Sequence, residues 1–389
     1  MNAGTLLRRL DRGFDATGSL RAVALLRIAM GPLLVLHLRP FLDLAARGVT
    51  WSDRFNDPFL TWYPAVGGDL YLFLLRLCVV AAVLVSLGAL TRLATAYAAA
   101  FVTWNVFLTT THFHHNRAFL IILLVGLAVL PSGRHLSVDA GLARRRGRPT
   151  GGAAPLWPLW LMRFEVAVVY GASGLSKLID QDWWSGLVLR LRIEEWGGYA
   201  LDQGAPAWAI DLLSSEAFMW WFAKGVVLTE LFLAVGLVVR RTRLAAVWAA
   251  VAFHLAIEAT AEVQLFSWAG LAALVIWVTP AARDRRLVIT PDAAAGARFL
   301  GRLVRALDWT GRFEIETRAG RFDPAVCLFD RPTADGTAVT RTGAAAARMV
   351  LSRLPLTFFL AAPLLLPGVR RIWDRGAERL FEVRTGPRS

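Results

Sequence analysis

Apolar residues dominate about the first 286 of the 389 residues and fall into long runs separated by short polar segments. A helix needs about 20 consecutive apolar residues to cross a bilayer, and several of the runs approach that length. The pattern therefore predicts an all-α polytopic membrane domain over residues 1–286. Its eight membrane-spanning helices are expected at about residues 21–44, 69–88, 92–110, 117–132, 156–179, 217–239, 243–262 and 264–282.

The pattern changes after about residue 287. The following residues mix the β-rich fragments RLVIT and AVCLFD, a turn in DRPTADGTAV, and amphipathic helical pieces. This mixture predicts a small α/β domain over residues 287–389. Its apolar segment PLTFFLAAPLLLPG is about 14 residues long and is bounded by prolines, which favours a docked helix over a ninth span.

The charge pattern supports a membrane location. The chain is 56% hydrophobic and has a formal net charge of +14, with its basic residues in short clusters between the apolar runs. The arginine-bearing N-terminus (Arg8, Arg9 and Arg12) and the C-terminal domain fall on one side, which the positive-inside rule identifies as cytoplasmic. We therefore expect a multi-pass cell-membrane protein rather than a nucleic-acid-binding protein. The two cysteines, Cys78 and Cys327, predict neither a disulfide framework nor a metal site.

The use of lysine singles out one candidate for chemistry. Of the 43 basic residues only Lys177 and Lys224 are lysine, and both lie in apolar runs. Arginine keeps its proton in proteins, whereas a desolvated lysine can release it. Lys177 is interpreted either as an anchor that reaches the headgroups beside Trp183 and Trp184, or as a functional residue on the same helical face as Tyr170.

Other polar residues lie close to the predicted outer side of the membrane. His112, His114 and His115 precede Asn116 at the start of the fourth span. They lack the carboxylate partners and the spacing of a helical metal site, so no metal is predicted. A polar loop with one functional histidine or asparagine is favoured instead.

Three ionisable residues lie within predicted spans. His254 and Glu258 are four residues apart in the seventh span, and Glu230 lies in the sixth. Ionisable groups at membrane depth are expensive, so they are functional or paired with one another. The sequence leaves both alternatives open: an internal polar cavity, or structural pairing between helices.

The segment YGASGLSKLIDQDWWSG resembles a motif of the HTTM domain, the membrane part of vitamin K-dependent gamma-carboxylases and their bacterial relatives. Supporting motifs are LLRIAMG, RHLSVD and FHLAIEATAEVQLFSW, and the resemblance covers about residues 15–285. It implies that Lys177 is the base that deprotonates a reduced quinone. The family has a histidine before its fourth helix, where this sequence has Asn116 with His115 beside it.

The C-terminal region resembles a DCC domain, a thioredoxin-like thiol-disulfide oxidoreductase. The segments RALDWTGRFEI and LLLPGVRRIWDRGAERLFEVR follow its pattern. The family's Asp-Gly-x-Cys-x-x-Cys motif is replaced by VITPDAAAGARF, with Ala293, Ala294 and Ala295 near the expected turn. Because thiol exchange needs an attacking thiolate and a resolving thiol, the resemblance implies a degenerate, redox-inactive cytoplasmic domain.

Two functions are consistent with these features. The first is a quinol-linked carboxylase or oxygenase-type enzyme with Lys177, His115 and Asn116 in catalytic roles and vitamin K or menaquinol as the reduced quinone. The second is a non-catalytic protein that binds lipid, quinone or a partner protein. In either function the substrate or quinone is expected to contact Tyr170, Trp183, Glu230, His254 and Glu258.

Overall fold

A computed structural model describes residues 16–49, 58–60, 62–151, 153–202, 204–260, 265–291, 293–317, 325–330 and 340–381. The N-terminal arginines that support the predicted orientation lie outside the described residues. Most of the turn predicted in DRPTADGTAV also lies outside them.

The chain divides into two compact units, Met1–Val278 and Thr279–Ser389. In the first unit, a short antiparallel ladder pairs β1 (Thr17–Gly18) with β2 (Ala154–Pro155). The remaining regular structure described there is helical. In chain order the α-helices are α1 (Arg21–Ala46), α2 (Gly68–Leu87), α3 (Thr91–Phe107), α4 (His115–Val129), α5 (Val138–Arg145), α6 (Trp157–Ile179), α7 (Gln181–Ser185), α8 (Leu187–Asp202), α9 (Ala207–Ser214), α10 (Glu216–Gly236), α11 (Arg243–Thr260), α12 (Phe266–Ala273) and α13 (Val275–Val278).

The predicted spans correspond closely to helices. The first seven match α1, α2, α3, α4, α6, α10 and α11, whereas the eighth is divided into α12 and α13 at Leu274. Among the described residues, α1, α2 and α10 are long and apolar enough to cross a membrane, and α4 and Phe266–Val278 are shorter apolar stretches. The total of eight spans therefore stays a prediction.

A buried arginine joins three segments of the first unit. The last carbonyl groups of a helix lack partners within that helix. At the end of α2, the Arg27 guanidinium donates hydrogen bonds to the Val85 and Ser86 carbonyls at 2.5 and 2.8 Å. It also donates to the Ser132 and Leu136 carbonyls at 3.2 and 2.6 Å. Arg27 is fully buried, so the end of α2 and the loop before α5 are held to the N-terminal third of α1.

Asp139 completes this junction from α5. Its carboxylate accepts hydrogen bonds from the Leu90 and Thr91 amides at 3.0 and 2.8 Å, and from the Thr91 hydroxyl at 2.7 Å. These groups lie at the start of α3, where backbone amides need acceptors. Burial acts to raise the pKa of Asp139, but the hydrogen bonds and the nearby Arg27 outweigh it and hold that pKa below its usual range.

The second unit contains a four-stranded sheet. Its strands are β3 (Arg285–Ile289), β4 (Phe313–Thr317), β5 (Val326–Asp330) and β6 (Thr340–Thr342), in the spatial order β4-β3-β5-β6. β3 and β4 are parallel and are joined through α14 (Ala295–Leu307), whereas β5 is antiparallel to both β3 and β6. α15 (Gly343–Leu351) follows β6 and packs with α14 over a core that includes Leu287, Leu300, Val326 and Val350. The prediction of a small C-terminal domain with strands in RLVIT and AVCLFD is confirmed.

The apolar segment after α15 differs from the single docked helix that its composition predicts. It forms α16 (Thr357–Ala361), a 3-10 turn at Pro363–Leu365, and α17 (Pro367–Gly376). Proline fixes φ and has no amide hydrogen to donate. Pro363 and Pro367 therefore begin new short elements instead of continuing one helix.

We expect Asp139→Asn to destabilise the first unit at neutral pH by about 1 kcal/mol, because the charge-assisted hydrogen bonds of the carboxylate become weaker neutral ones. A depressed carboxyl pKa stabilises the folded state above the unfolded pKa, and that stabilisation is lost as pH falls through the folded value. The difference in thermal midpoint between the two proteins should therefore shrink on acidification. Asp211→Asn, at an exposed position, is the matched control. A difference that is independent of pH would contradict this role.

Candidate functional site

Small residues allow α6 and α10 to approach closely. A side chain at Gly174 would come within 3.0 Å of Leu231 and 3.2 Å of the Glu230 Cβ, and one at Gly171 would contact Ala234 at 3.5 Å. Small residues permit this close backbone approach in membrane helix pairs. As a result, Glu230 lies opposite Ser173 and Lys177 in the C-terminal half of α6.

Lys177 and Glu230 form an ion pair between these helices. The Lys177 ammonium is 2.9 and 3.1 Å from the two Glu230 carboxylate oxygens. Ser173 donates from its hydroxyl to Glu230 at 2.9 Å and also contacts the ammonium. The Lys177 side chain is 16% exposed and that of Glu230 is 2% exposed. Lys177 is thus the member of the pair that a ligand can reach.

Trp183 covers the ammonium from the following turn. The centre of its ring lies 4.9 Å from the Lys177 Nζ, a cation–π distance. Asp180 fixes the start of α7 by accepting from the Asp182 and Trp183 amides at 2.9 and 3.3 Å. The end of α7 is fixed at Gly186, where φ is +86° and a side chain would meet the Met219 carbonyl at 2.6 Å.

The second lysine occupies a parallel position under the next tryptophan. Lys224 donates to the Trp184 carbonyl at 2.8 Å and to the Trp220 carbonyl at 3.3 Å. Its ammonium lies 4.5 Å from the Trp184 ring and 3.3 Å from the Trp220 ring. The adjacent residues Trp183 and Trp184 therefore cover the two lysines, and Lys224 ties α7 to α10.

A tyrosine–histidine pair joins Tyr170, about two helical turns before Lys177 on α6, to His254 of α11. The Tyr170 hydroxyl and the His254 Nε2 are 2.7 Å apart, and both side chains are buried. Phe266 packs edge-on against the His254 ring, and Gly270 leaves space for that ring. Among the described residues, the His254 Nδ1 has no hydrogen-bond partner. Tyr170, Ser173 and Lys177 share one face of α6 through their spacing.

Three of the remaining predicted site residues lie elsewhere. Glu258 is exposed and accepts from the Trp268 indole at 3.0 Å, although it lies one turn from His254 on α11. His115 is exposed and packs against the rings of Phe113 and His114, and Asn116 is buried at the start of α4. The hydrogen bonds of Lys177 go to Ser173 and Glu230, so neither His115 nor Asn116 is a direct partner.

The pairing of Lys177 with Glu230 and the placement of Trp183 and Trp184 over the two lysines were not predicted. Glu230 and both lysines stand out in the sequence. Spacing within one helix, however, carries no information about a partner on another helix. The available signal was chemical: opposite charges at membrane depth are expected to pair. Within the described part of the chain, no three His, Cys, Asp or Glu side chains gather as a metal-ligand set.

We expect Glu230→Gln to increase the reactivity of Lys177 toward an amine-selective reagent. Removing the carboxylate releases the Lys177 ammonium from the 2.9 Å ion pair, and a loss of about 1.4 kcal/mol of holding energy would give about a tenfold change in rate. Because the sequence has two lysines, peptide mass spectrometry resolves each rate. Lys224, whose partners are carbonyls and rings, is the internal reference. An unchanged Lys177-to-Lys224 rate ratio would contradict the pairing.

Comparison with known proteins identifies the family. A family model of the HTTM domain matches residues 18–281. Comparisons with curated proteins and with solved structures give no significant match. The matched region includes the junction around Arg27, the Lys177–Glu230 pair and the apolar helices α1, α2 and α10. The chain belongs to the HTTM domain family of membrane proteins.

Proposed function

We propose that Lys177 is a general base for the hydroxyl group of a membrane-soluble reduced quinone, of the vitamin K or menaquinol type. The observation that carries the proposal is the pair itself: a reachable lysine backed by a buried carboxylate at 2.9 Å. The resemblance of YGASGLSKLIDQDWWSG to the gamma-carboxylase motif supports the same role. The product would be a quinolate for a carboxylase or oxygenase-type reaction on an unassigned second substrate.

Glu230 can accept the proton that Lys177 must lose before it acts as a base. A general base must have a free lone pair and lie within hydrogen-bond reach of the proton that it takes. Transfer of one proton from the Lys177 ammonium to Glu230 leaves an amine and a carboxylic acid, both neutral. Ser173 keeps the Glu230 carboxylate oriented through the 2.9 Å hydrogen bond.

The surroundings of the pair fit an aromatic ligand with an acidic hydroxyl. Trp183 offers a ring face next to the ammonium, and Lys177 keeps part of its side chain exposed. Tyr170 and His254 lie deeper on the same side of α6 and are proposed to position the ligand. Supporting roles for His115, Asn116 and Glu258 rest on the sequence alone.

A non-catalytic function is the second candidate. The Lys177 charge is already balanced by Glu230 and by the Trp183 ring, as in a structural pair that joins two helices. In this role the protein would bind lipid, quinone or a partner protein without chemistry at the lysine.

Lys177→Arg distinguishes the two candidates. Arginine preserves the charge opposite Glu230 but stays protonated, so we expect quinol binding to be retained and quinol oxidation under oxygen to fall to the level of empty nanodiscs. Binding of menaquinol is measured without oxygen, and quinone formation is then followed after oxygen is admitted. The control is Arg190→Lys at a surface ion pair, which should behave as wild type.

Either of two outcomes would exclude the base role. One is oxidation by Lys177→Arg at the wild-type rate. The other is the absence of both quinol binding and quinol oxidation by the wild-type protein in lipid nanodiscs, which would leave lipid or partner binding as the working function.

We propose eight spans in the cell membrane, with the N-terminus and the C-terminal domain in the cytoplasm. The proposal is supported by clusters of arginine, including Arg144–Arg146 at the end of α5 and Arg240–Arg243 at the start of α11. On this arrangement Lys177, at the end of α6, lies near the outer surface.

We infer that the C-terminal unit is a degenerate DCC domain with a thioredoxin-like core. A parallel β-α-β unit followed by an antiparallel β-hairpin and a helix is consistent with that core. Ala293 and Ala294 directly precede α14, the position that the resemblance assigns to the cysteine motif. Cys327 lies instead within β5, opposite Val288 and Thr342. Burial raises the pKa of the Cys327 thiol, which disfavours the reactive thiolate.

The full-length protein should therefore not catalyse disulfide reduction. We expect its rate in an insulin-reduction assay with dithiothreitol to equal the background rate, and Cys327→Ser to leave that rate unchanged. Catalysis by the wild-type protein that is lost in Cys327→Ser would show that one thiol suffices and would overturn the inference.

A further inference from the structure

The segment that comes after α15 exposes a series of apolar side chains. Their exposed fractions range from 37 to 83%, and the residues are Leu356, Leu360, Leu366, Val369 and Ile372. Leu356 and Leu360 are four residues apart, and Leu366, Val369 and Ile372 are spaced at intervals of three. Each set therefore lies along one side of its own short helix. A clustered apolar surface of this kind marks an interaction site more often than isolated exposed residues do.

The same segment is also packed on its own domain. Trp373 donates from its indole to the Ala344 carbonyl at 3.0 Å and packs against the domain core. Ala361 and Ala377 are buried. The segment is therefore packed on the domain and still leaves these five apolar side chains exposed.

The charges beside these side chains are mainly positive. Between positions 355 and 377 the sequence has three arginines, Arg370, Arg371 and Arg375, and one acid, Asp374. Asp374 is engaged by Arg348 at 3.1 Å and by Arg370 at 3.6 Å. Arg371 and Arg375 are exposed, so the exposed surface of the segment combines leucine and isoleucine with arginine charge.

On the proposed eight-span arrangement, the chain connection keeps the domain near a bilayer. The apolar stretch Phe266–Val278 is followed after residues 279–284 by β3. Six extended residues reach at most about 20 Å. A membrane surface is thus available to this domain at high effective concentration.

We propose that Leu356–Arg375 is a membrane-docking surface that lies on anionic headgroups. Interfacial helices place leucine, isoleucine and tryptophan at the acyl boundary and arginine among the phosphates, and anionic lipids attract such basic segments. The exposed apolar side chains insert at the acyl boundary, and Arg371 and Arg375 favour negatively charged lipids. This surface is independent of the chemistry proposed at Lys177.

The test uses the full-length protein in nanodiscs with a polarity-sensitive fluorophore at Leu360→Cys, in a background with Cys78→Ala and Cys327→Ala. One set of discs contains phosphatidylcholine alone, and the other also contains phosphatidylglycerol. We expect a blue shift and quenching by a lipid-attached quencher in the anionic discs. The same fluorophore at Glu314→Cys, an exposed position on β4, should report water in both sets.

Removing charge provides the second measurement. Arg371→Gln and Arg375→Gln should each lower the ratio of docked to undocked domain by about fivefold, because one basic residue near an anionic surface contributes about that factor. High salt should also lower the ratio of docked to undocked domain.

The proposal fails if the Leu360 label stays in water in anionic discs, or if the charge variants and salt leave its signal unchanged. It also fails if the label is shielded in proportion to protein concentration in both lipid mixtures, since that result would identify a second copy of the chain as the occupant.

Discussion

A charge buried among apolar helices needs a partner, and this constraint organises the first unit. Arg27 is satisfied by four backbone carbonyls, and Arg163 by the Ile276 carbonyl and two tryptophan rings. Lys224 is held by two carbonyls and two rings. Lys177 differs because its partner is Glu230, the one buried acid among the described residues. Carbonyls and rings can hold a cation, but only the carboxylate can also accept its proton.

The motifs that carry the family resemblance divide into two kinds. LLRIAMG and RHLSVD are separated by more than 100 residues, yet Arg27 in the first binds the Leu136 carbonyl in the second. Asp139 then caps α3 directly after the loop. Leu90 and Leu136 adopt left-handed conformations, with φ of 48 and 47°, which non-glycine residues rarely do without external support. These motifs therefore encode a structural junction, whereas the segment around Lys177 encodes the candidate site.

The sequence predicted local features better than pairwise ones. Long apolar runs locate α1 and α10 within a few residues, because hydrophobic length is a property of one segment. The pairing of Lys177 with Glu230 depends on how α6 packs on α10. Gly174 permits the close packing, but a glycine in the sequence does not identify the partner helix. Glu258 shows the opposite error: its spacing from His254 is helical, yet its carboxylate is exposed. The breaks at Leu274 and in the segment after α15 show that composition indicates apolar character more reliably than helix continuity.

The two tryptophans of α7 impose a constraint on its length. Trp183 and Trp184 are consecutive, and each covers a different lysine from a turn that is fixed at Asp180 and Gly186. Adding or deleting one residue in a helix rotates all later residues of that helix by about 100°, which would remove at least one ring from its ammonium. Substitutions within this turn are thus a smaller change than insertions or deletions. Among HTTM relatives that keep both lysines, the spacing between Asp180 and Gly186 should vary less than the residues that fill it.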